Sequence, residues 1–312
     1  MKIPKTISVV VPVYNEEQTI DMLFTRLFDT LIKITDSFEI IFINDGSSDS
    51  SQEKIKGLAE QHDFVNYINF TRNFGHQIAV TAGLEHCNAA CTVIIDGDLQ
   101  DPPELIEELY QEYQKGFEVV YAKRKKREGE SFFKKITSKI FYRILKKITS
   151  IEIPLDTGDF RLVDRKVVDE LKQMPETNKF IRGQIAWMGF SQKAVLFDRP
   201  ERLHGNTGYS YSKMIQLALD GITGFSDKPL AFVSRMGLLI SIVSFCIILF
   251  SLFSHFILNQ TVNGWTSLII VSSFLGGIQL LSIGIIGTYI SRIHNNTKDR
   301  KMYIVKDAKL SS

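Results

Sequence analysis

Cysteine is scarce in this 312-residue chain: Cys87, Cys91 and Cys246 are the only three. The number is odd, no C-x-x-C occurs, and Cys246 lies inside an apolar run. Neither a disulfide framework nor a zinc site is expected, and a reduced cytosolic setting fits better. Internal repeats and low-complexity stretches are also missing. Apolar residues make up 44% and charged residues 23%, which excludes disordered and collagen-like classes. The opening Met1-Lys-Ile-Pro-Lys-Thr runs straight into a strand-like segment without a signal-peptide pattern, so no leader is expected. No Gly-rich turn follows that strand, which weakens ATPase and dehydrogenase readings.

Charge is missing where it matters most. Residues 236–258 and 268–290 are two runs of 23 residues without Asp, Glu, Lys or Arg, carrying 17 and 14 apolar residues. At 1.5 Å per residue each helix would span about 34 Å, enough to cross a bilayer core. Two buried core helices are the alternative. Lys228 and Arg235 precede the first run, and Arg292, Lys298, Arg300 and Lys301 follow the second. This bias places both outer ends in the cytoplasm, with a short external turn. Ser273, Gly277, Gly284 and Thr288 share one face of the second helix. They would admit a second helix, and so a homo-oligomer, unless they reflect only the commonness of Gly in membrane helices.

The net charge of +2 hides a basic block: residues 123–147 hold eleven Lys and Arg against two Glu. Within 131–150, Phe133, Ile136, Ile140, Ile144 and Ile148 recur at helical spacing, with Lys135, Lys139, Arg143 and Lys146 among them. A basic amphipathic helix suits a bilayer surface; a helix packed on the domain is the alternative. Nucleic acid is not expected, because no base-reading element accompanies the charge.

The first 225 residues read as an α/β domain. Strand-like runs at 7–13, 38–43, 65–70, 92–95 and 118–121 alternate with helix-like segments at 16–34, 50–61, 77–86 and 103–115. Such alternation predicts a mostly parallel sheet covered by helices, with ligands beyond the carboxyl ends of the strands. The first strand ends in Pro12-Val13-Tyr14-Asn15-Glu16-Glu17, which offers an aromatic ring and carboxylates for a base and a ribose. The second ends at Asp45, a ligand for the nucleotide or a turn residue before Gly46. The fourth ends in Asp96-Gly97-Asp98-Leu99-Gln100-Asp101-Pro102-Pro103. Two carboxylates one residue apart at the end of a buried strand are costly unless a cation holds them. Mg²⁺ or Mn²⁺ binds through one or two carboxylates plus substrate phosphates, and Gly97 permits close approach.

The motifs P-V-Y-N-E, N-D-G-S-x-D, T-R-N-F-G and D-G-D-L-Q-D-P-P together resemble family 2 glycosyltransferases with the GT-A, Rossmann-like fold. The closer resemblance is to polyprenyl-phosphate glycosyltransferases, the group of dolichol-phosphate mannose synthase and the bacterial GtrB-like enzymes. Thr157-Gly158-Asp159-Phe160-Arg161-Leu162 and the paired C-terminal runs match further features of that group. The resemblance implies that Pro12, Tyr14, Glu16, Asp45, Asp96, Gly97 and Asp98 hold the nucleotide, and that Asp96, Asp98 and Gln100 hold Mg²⁺ or Mn²⁺. Arg124 and Arg202 would face phosphates. Gly208 stands where many relatives carry Lys, and Lys213 is the candidate to replace it. Asp98 and Asp159 are the candidate catalytic residues, Asp159 as a base or as a carboxylate that orients a cation such as Arg161 or Arg202 toward the acceptor.

The resulting expectation is a GT-A domain over 1–225 that includes the interface helix, a transmembrane hairpin over 226–291, and a basic cytoplasmic tail over 292–312. It would move a sugar, from UDP-glucose or a UDP-N-acetylhexosamine, to polyprenyl phosphate with inversion at the cytoplasmic membrane face. A processive polysaccharide synthase is the rival, but Gln184-Ile-Ala-Trp187 lacks the arginine of Q-x-x-R-W and two spans are too few for a polymer channel. A catalytically inactive membrane scaffold is the other rival, opposed by intact Asp96, Asp98 and Asp159.

Overall fold

A computed structural model describes residues 5–125, 157–198, 226, 228–256, 264–298 and 300–310. The basic segment 131–150, Arg202, Gly208 and Lys213 lie outside the described residues. The described residues fall into two compact units, one holding every strand and the other the two long C-terminal helices.

In the first unit the strands are β1 (Ile7–Val13), β2 (Phe38–Asn44), β3 (Val65–Phe70), β4 (Cys91–Ile94), β5 (Val119–Arg124), β6 (Thr157–Asp164), β7 (Gln192–Phe197) and β8 (Val305–Lys309). The helices are α1 (Ile20–Ile34), α2 (Ser51–Gln61), α3 (His76–His86), α4 (Leu105–Gln114), α5 (Arg165–Gln173) and α6 (Ile181–Met188). All eight strands form one sheet in the order β7-β5-β6-β4-β1-β2-β3-β8. β4, β1, β2 and β3 are parallel, as the alternation predicts, whereas β6 runs antiparallel to both β4 and β5.

β1 and β2 are buried along their whole length, as central strands covered on both faces must be. Alternate side chains feed opposite layers. Val9 and Val11 pack with Leu23, Leu27 and Leu31 of α1 and with Ile106 and Leu109 of α4. Val10 and Ile43 pack on the other face with Ala79 and Val80 of α3, Val167 of α5 and Ile185 of α6. Gly83 lets α3 lie close to the sheet, since a Cβ there would sit 2.3 Å from Val10 Cγ1.

Two expectations need correction. Residues 16–19 are not helical; α1 starts at Ile20 because the amides before it bond to the β2–α2 loop. Residues 292–312 are not simply a basic tail. α8, described below, runs on to Thr297, and 305–309 form β8, antiparallel to β3. The sequence VKDAK has no apolar alternation to betray a strand. It is held instead by main-chain bonds, by Asp307 accepting from Asn69 Nδ2 at 2.8 Å, and by Lys56 at 3.1 Å from Asp307. Tyr303 leads into it, its ring stacked on Phe70 and its hydroxyl donating to Glu85.

The second unit contains α7 (Lys228–Phe256) and α8 (Trp265–Thr297). Among the described residues, one stretch, Phe274–Thr297, is long and apolar enough to cross a membrane. Large apolar side chains stand exposed along both helices, among them Phe232, Leu239, Phe245 and Phe250 of α7 and Phe274, Leu280, Ile283 and Ile290 of α8. Nothing lies within 4 Å of a Cβ built at Gly277 or Gly284.

Candidate active site

The order of the parallel strands reverses between β1 and β4. A crevice opens at such a switch point beyond the carboxyl ends. The loops that follow β1, β2 and β4 meet there. Asn15 N–H donates to Ser47 Oγ at 3.0 Å, Glu16 N–H to Ser51 Oγ at 3.0 Å, and Thr19 Oγ1 to the Gly97 carbonyl at 2.8 Å. A Cβ at Gly97 would approach the Pro12 carbonyl to 3.2 Å. Two non-glycine residues take left-handed backbone angles, Asn15 (φ 56°) and Leu99 (φ 58°), one in each loop. Such strain collects at functional sites. Tyr14 is half exposed at the crevice.

Asp45 is buried, and both its oxygens are engaged: Oδ1 accepts from Phe74 N–H at 2.7 Å and Oδ2 from Gly75 N–H at 3.0 Å. Burial raises its carboxyl and these two bonds partly offset the rise. It therefore shapes the β3–α3 loop that delivers His76. Gly46 beside it has φ +67°, and a Cβ there would lie 2.3 Å from the Arg72 carbonyl carbon. Only glycine permits this crossing of loops.

In β6, Arg161 pairs with Ile94 of β4, and the same register carried two residues further sets Asp159 opposite Asp96. Asp159 is buried among four contacts. Arg182 forks onto it, Nε to Oδ1 at 2.7 Å and Nη2 to Oδ2 at 3.0 Å. Oδ2 also meets Gln77 Nε2 and His76 Nε2, each at 3.1 Å. Arg182 Nη1 donates to the Thr157 carbonyl at 2.9 Å, and Gln77 Oε1 accepts from Ile181 N–H at 3.1 Å. Burial would raise the Asp159 carboxyl, but the guanidinium of Arg182 and the hydrogen bonds of His76 and Arg182 hold it well below the usual carboxylate range.

His76 Nε2 lies 3.5 Å from Asp96 Oδ1, and the side chain is 41% exposed. Desolvation works against its charge, yet Asp96 and Asp159 push its pKa up to about 9. Burial raises the Asp96 carboxyl, His76 opposes this, and the neighbouring Asp159 and Asp98 carboxylates add to it. Asp98 Oδ1 accepts from Gln100 N–H at 3.1 Å. Arg161 is buried, donating to the carbonyls of Gly158 and Asp159, and its pKa is lowered to about 10 by desolvation. It stands 3.9 Å from Asp159, so Arg182 and not Arg161 is the main cation there. Arg124 ends β5 with Nη2 about as near as Asp101 Oδ2 to Gly158, at 3.9 and 3.5 Å from its Cβ position.

The structure thus brings Pro12, Glu16, Gly97, Asp96, Asp98 and Asp159 to one end of the sheet, with Asp45 behind them. His76, Gln77 and Arg182 escaped the sequence reading. His76 follows the quoted T-R-N-F-G directly, and Arg182 lies two residues before Gln184, in a segment read only for a Q-x-x-R-W match.

The donor set is oxygen-rich and suits a hard divalent cation. Among the described residues no group of three or more His, Cys, Asp and Glu side chains is placed to hold a metal. Asp96 Oδ1 is buried without a hydrogen-bond partner, beside Asp98. Two carboxylates with a diphosphate to complete the shell is the mode that fits.

The profile of glycosyl transferase family 2 matches residues 8–172. This chain belongs to glycosyl transferase family 2. The glycosyltransferase's first unit is accordingly a GT-A fold built on a mixed sheet. It is 48% identical to the uncharacterized glycosyltransferase YkcC of Bacillus subtilis, across 96% of this chain and 93% of that one. It is 40% identical to a prophage bactoprenol glucosyl transferase homolog of Escherichia coli and 39% identical to the bactoprenol glucosyl transferase of Shigella phage SfV, each across 97% of this chain and 99% of the relative. Among solved structures, the glucosyl-3-phosphoglycerate synthase of Mycobacterium tuberculosis, in complex with Mn²⁺, UDP-glucose and phosphoglyceric acid, aligns with a TM-score of 0.48 at 18% identity, covering 70% of this chain and 78% of that one.

Proposed function

We propose that this glycosyltransferase moves a sugar, most simply glucose, from a nucleotide sugar to the phosphate of a membrane-borne polyprenol. The observation that carries the reading is the match across 97% of the chain to relatives named for transfer of glucose to bactoprenol. UDP-glucose is the first donor to try, and a UDP-N-acetylhexosamine the second. Pro12, Tyr14 and Glu16 would border the nucleotide, with Asp45 holding the loop behind it. Asp96 and Asp98, with Gln100 beside them, would hold Mg²⁺ or Mn²⁺, which neutralises charge on a departing diphosphate. Arg124, Arg202 and Lys213 are proposed phosphate contacts.

The reaction asks little proton chemistry of the protein. An acceptor oxygen forms a bond to the anomeric carbon while the bond from that carbon to the diphosphate breaks, and the nucleoside diphosphate leaves with the electron pair. A phosphate monoester is largely a dianion near neutral pH, its second pKa being about 6, so no proton must be removed first. Asp159, fully engaged by donors, serves better as an anchor for cations than as a base.

The membrane part of the proposal has two supports. Helices apolar on all sides and exposed in the folded chain need a lipid environment. β8 also shares the sheet with β1–β7, so the chain enters α7 and leaves α8 on one side of any bilayer. The crossings are then even in number, which fits two spans with both ends in the cytoplasm. Residues 131–150 would add attraction to anionic headgroups. Incubating the purified protein with undecaprenyl phosphate and a panel of radiolabelled nucleotide sugars tests the reading. A lipid-extractable labelled product from one donor is expected; none from any donor would overturn it.

A further inference from the structure

Asp159 has no room for a direct role. Its two oxygens receive Arg182 twice, Gln77 once and His76 once. An acceptor phosphate is itself an anion and would be repelled by the carboxylate. Whatever Asp159 does for the acceptor must pass through one of the side chains it holds. Gln77 is turned into the protein, its Oε1 on the Ile181 amide. Arg182 is three-quarters buried and also tied to the Thr157 carbonyl. Arg161 is 5% exposed. His76 differs, because its side chain is 41% exposed and faces the crevice side of Asp96. One ring nitrogen stands 3.1 Å from Asp159 and 3.5 Å from Asp96, between the donor-side carboxylate and the β6 carboxylate.

We propose that His76 is the side chain that meets the acceptor phosphate and fixes the attacking oxygen, with Asp159 as its anchor and Arg182 and Gln77 as the supports of that anchor. The inference rests on the acceptor being a lipid phosphate, as argued above. Two carboxylates flanking the ring favour its cationic form by simple Coulomb attraction, and that form complements a phosphate dianion. The Arg182 fork holds Asp159 in one orientation, which in turn sets the plane of the ring. Proximity of this kind accounts for large rate factors in bond formation.

The test is a pair of variants, His76→Ala and His76→Gln, in the full-length enzyme in detergent or vesicles, with undecaprenyl phosphate and the donor identified for the wild type. UDP-sugar binding in the presence of Mg²⁺ serves as the control for fold and donor site. His76→Ala should lower kcat/KM for the lipid acceptor about 100-fold, while the donor Kd stays within about twofold. His76→Gln keeps a donor for Asp159 without the charge and should recover about tenfold of that loss. Weakened donor binding with unchanged acceptor KM would overturn the proposal and assign His76 to the donor. Near-wild-type transfer by His76→Ala would also overturn it. If the wild type binds a UDP-sugar yet glycosylates no polyprenyl phosphate, the functional reading falls and this inference falls with it.

Discussion

Arg182 reaches from the start of α6 to hold Asp159 of β6 by two nitrogens, at 2.7 and 3.0 Å. The two residues are 23 positions apart, and neither element touches a recognisable motif of the other. This fork makes the carboxylate a fixed anion, and it ties α6 to the strand that enters the sheet beside β4.

Asp159→Asn should cut turnover sharply while donor affinity changes little. The loss should be nearly constant across pH 5.5 to 8, because an anchor is absent at every pH. A base would matter most below about pH 6, where more acceptor is a monoanion. Steady-state kcat against pH in vesicles decides; a loss concentrated at low pH would restore the base role.

The same substitution should destabilise the fold by about 3 kcal/mol at neutral pH, since it leaves Arg182 without its carboxylate. The folded-state carboxyl lies below its unfolded value. Its contribution is therefore present at neutral pH and down to about pH 4, and is lost as pH falls further through the folded value. Denaturant melts of wild type and variant should converge below that pH.

Transfer should require Mg²⁺ or Mn²⁺, and Asp98→Ala should lower it by at least about 100-fold without altering the melt. Excess EDTA should abolish product and added metal should restore it. Full activity in EDTA would remove the metal from the proposal.

Gly46→Ala should cost more than about 2 kcal/mol, because φ is +67° and the new methyl would meet the Arg72 main chain. Activity should fall further than stability explains, since the displaced loop leads into His76. Melting and kcat measured on the same preparation separate the two effects.

Tyr303→Ala removes a ring stacked on Phe70 with centroids 4.9 Å apart and a hydrogen bond to Glu85. A loss of about 1–2 kcal/mol is expected, read as a fall of about 4 °C in Tm. A chain ending at residue 300 should lose more, because the edge of β3 is then uncovered. Unchanged melting of the shorter chain would mean that β8 contributes nothing to the fold.

Much of this protein was legible in one dimension. β1, β2 and β3 are runs of β-branched and apolar residues bounded by polar turns, and their limits follow from that pattern to within a residue. D-G-D at the end of β4 marks a cation site because two adjacent carboxylates in a dry place need one. The charge-free runs at 236–258 and 268–290 announced helices, and helices stand there at Lys228–Phe256 and Trp265–Thr297. Periodicity and local chemistry suffice for all of these, because the interaction that decides them is with the layer above or below and repeats along the chain.

What only the tertiary structure decided is who meets whom across long separations. β8 is a polar pentapeptide that becomes a strand because the free edge of β3 offers main-chain partners and Asn69 and Lys56 receive Asp307. The partners of Asp159 come from α3, 83 and 82 residues before it, and from α6 after it. β6 enters antiparallel between β4 and β5, and that register sets Asp159 facing Asp96. Hydrogen bonds of this kind depend on packing that fixes two backbones at once. The sequence by itself determined the family, the strands and the acidic strand ends; the fold decided that Asp159 would be held by Arg182 and His76 and not by Arg161.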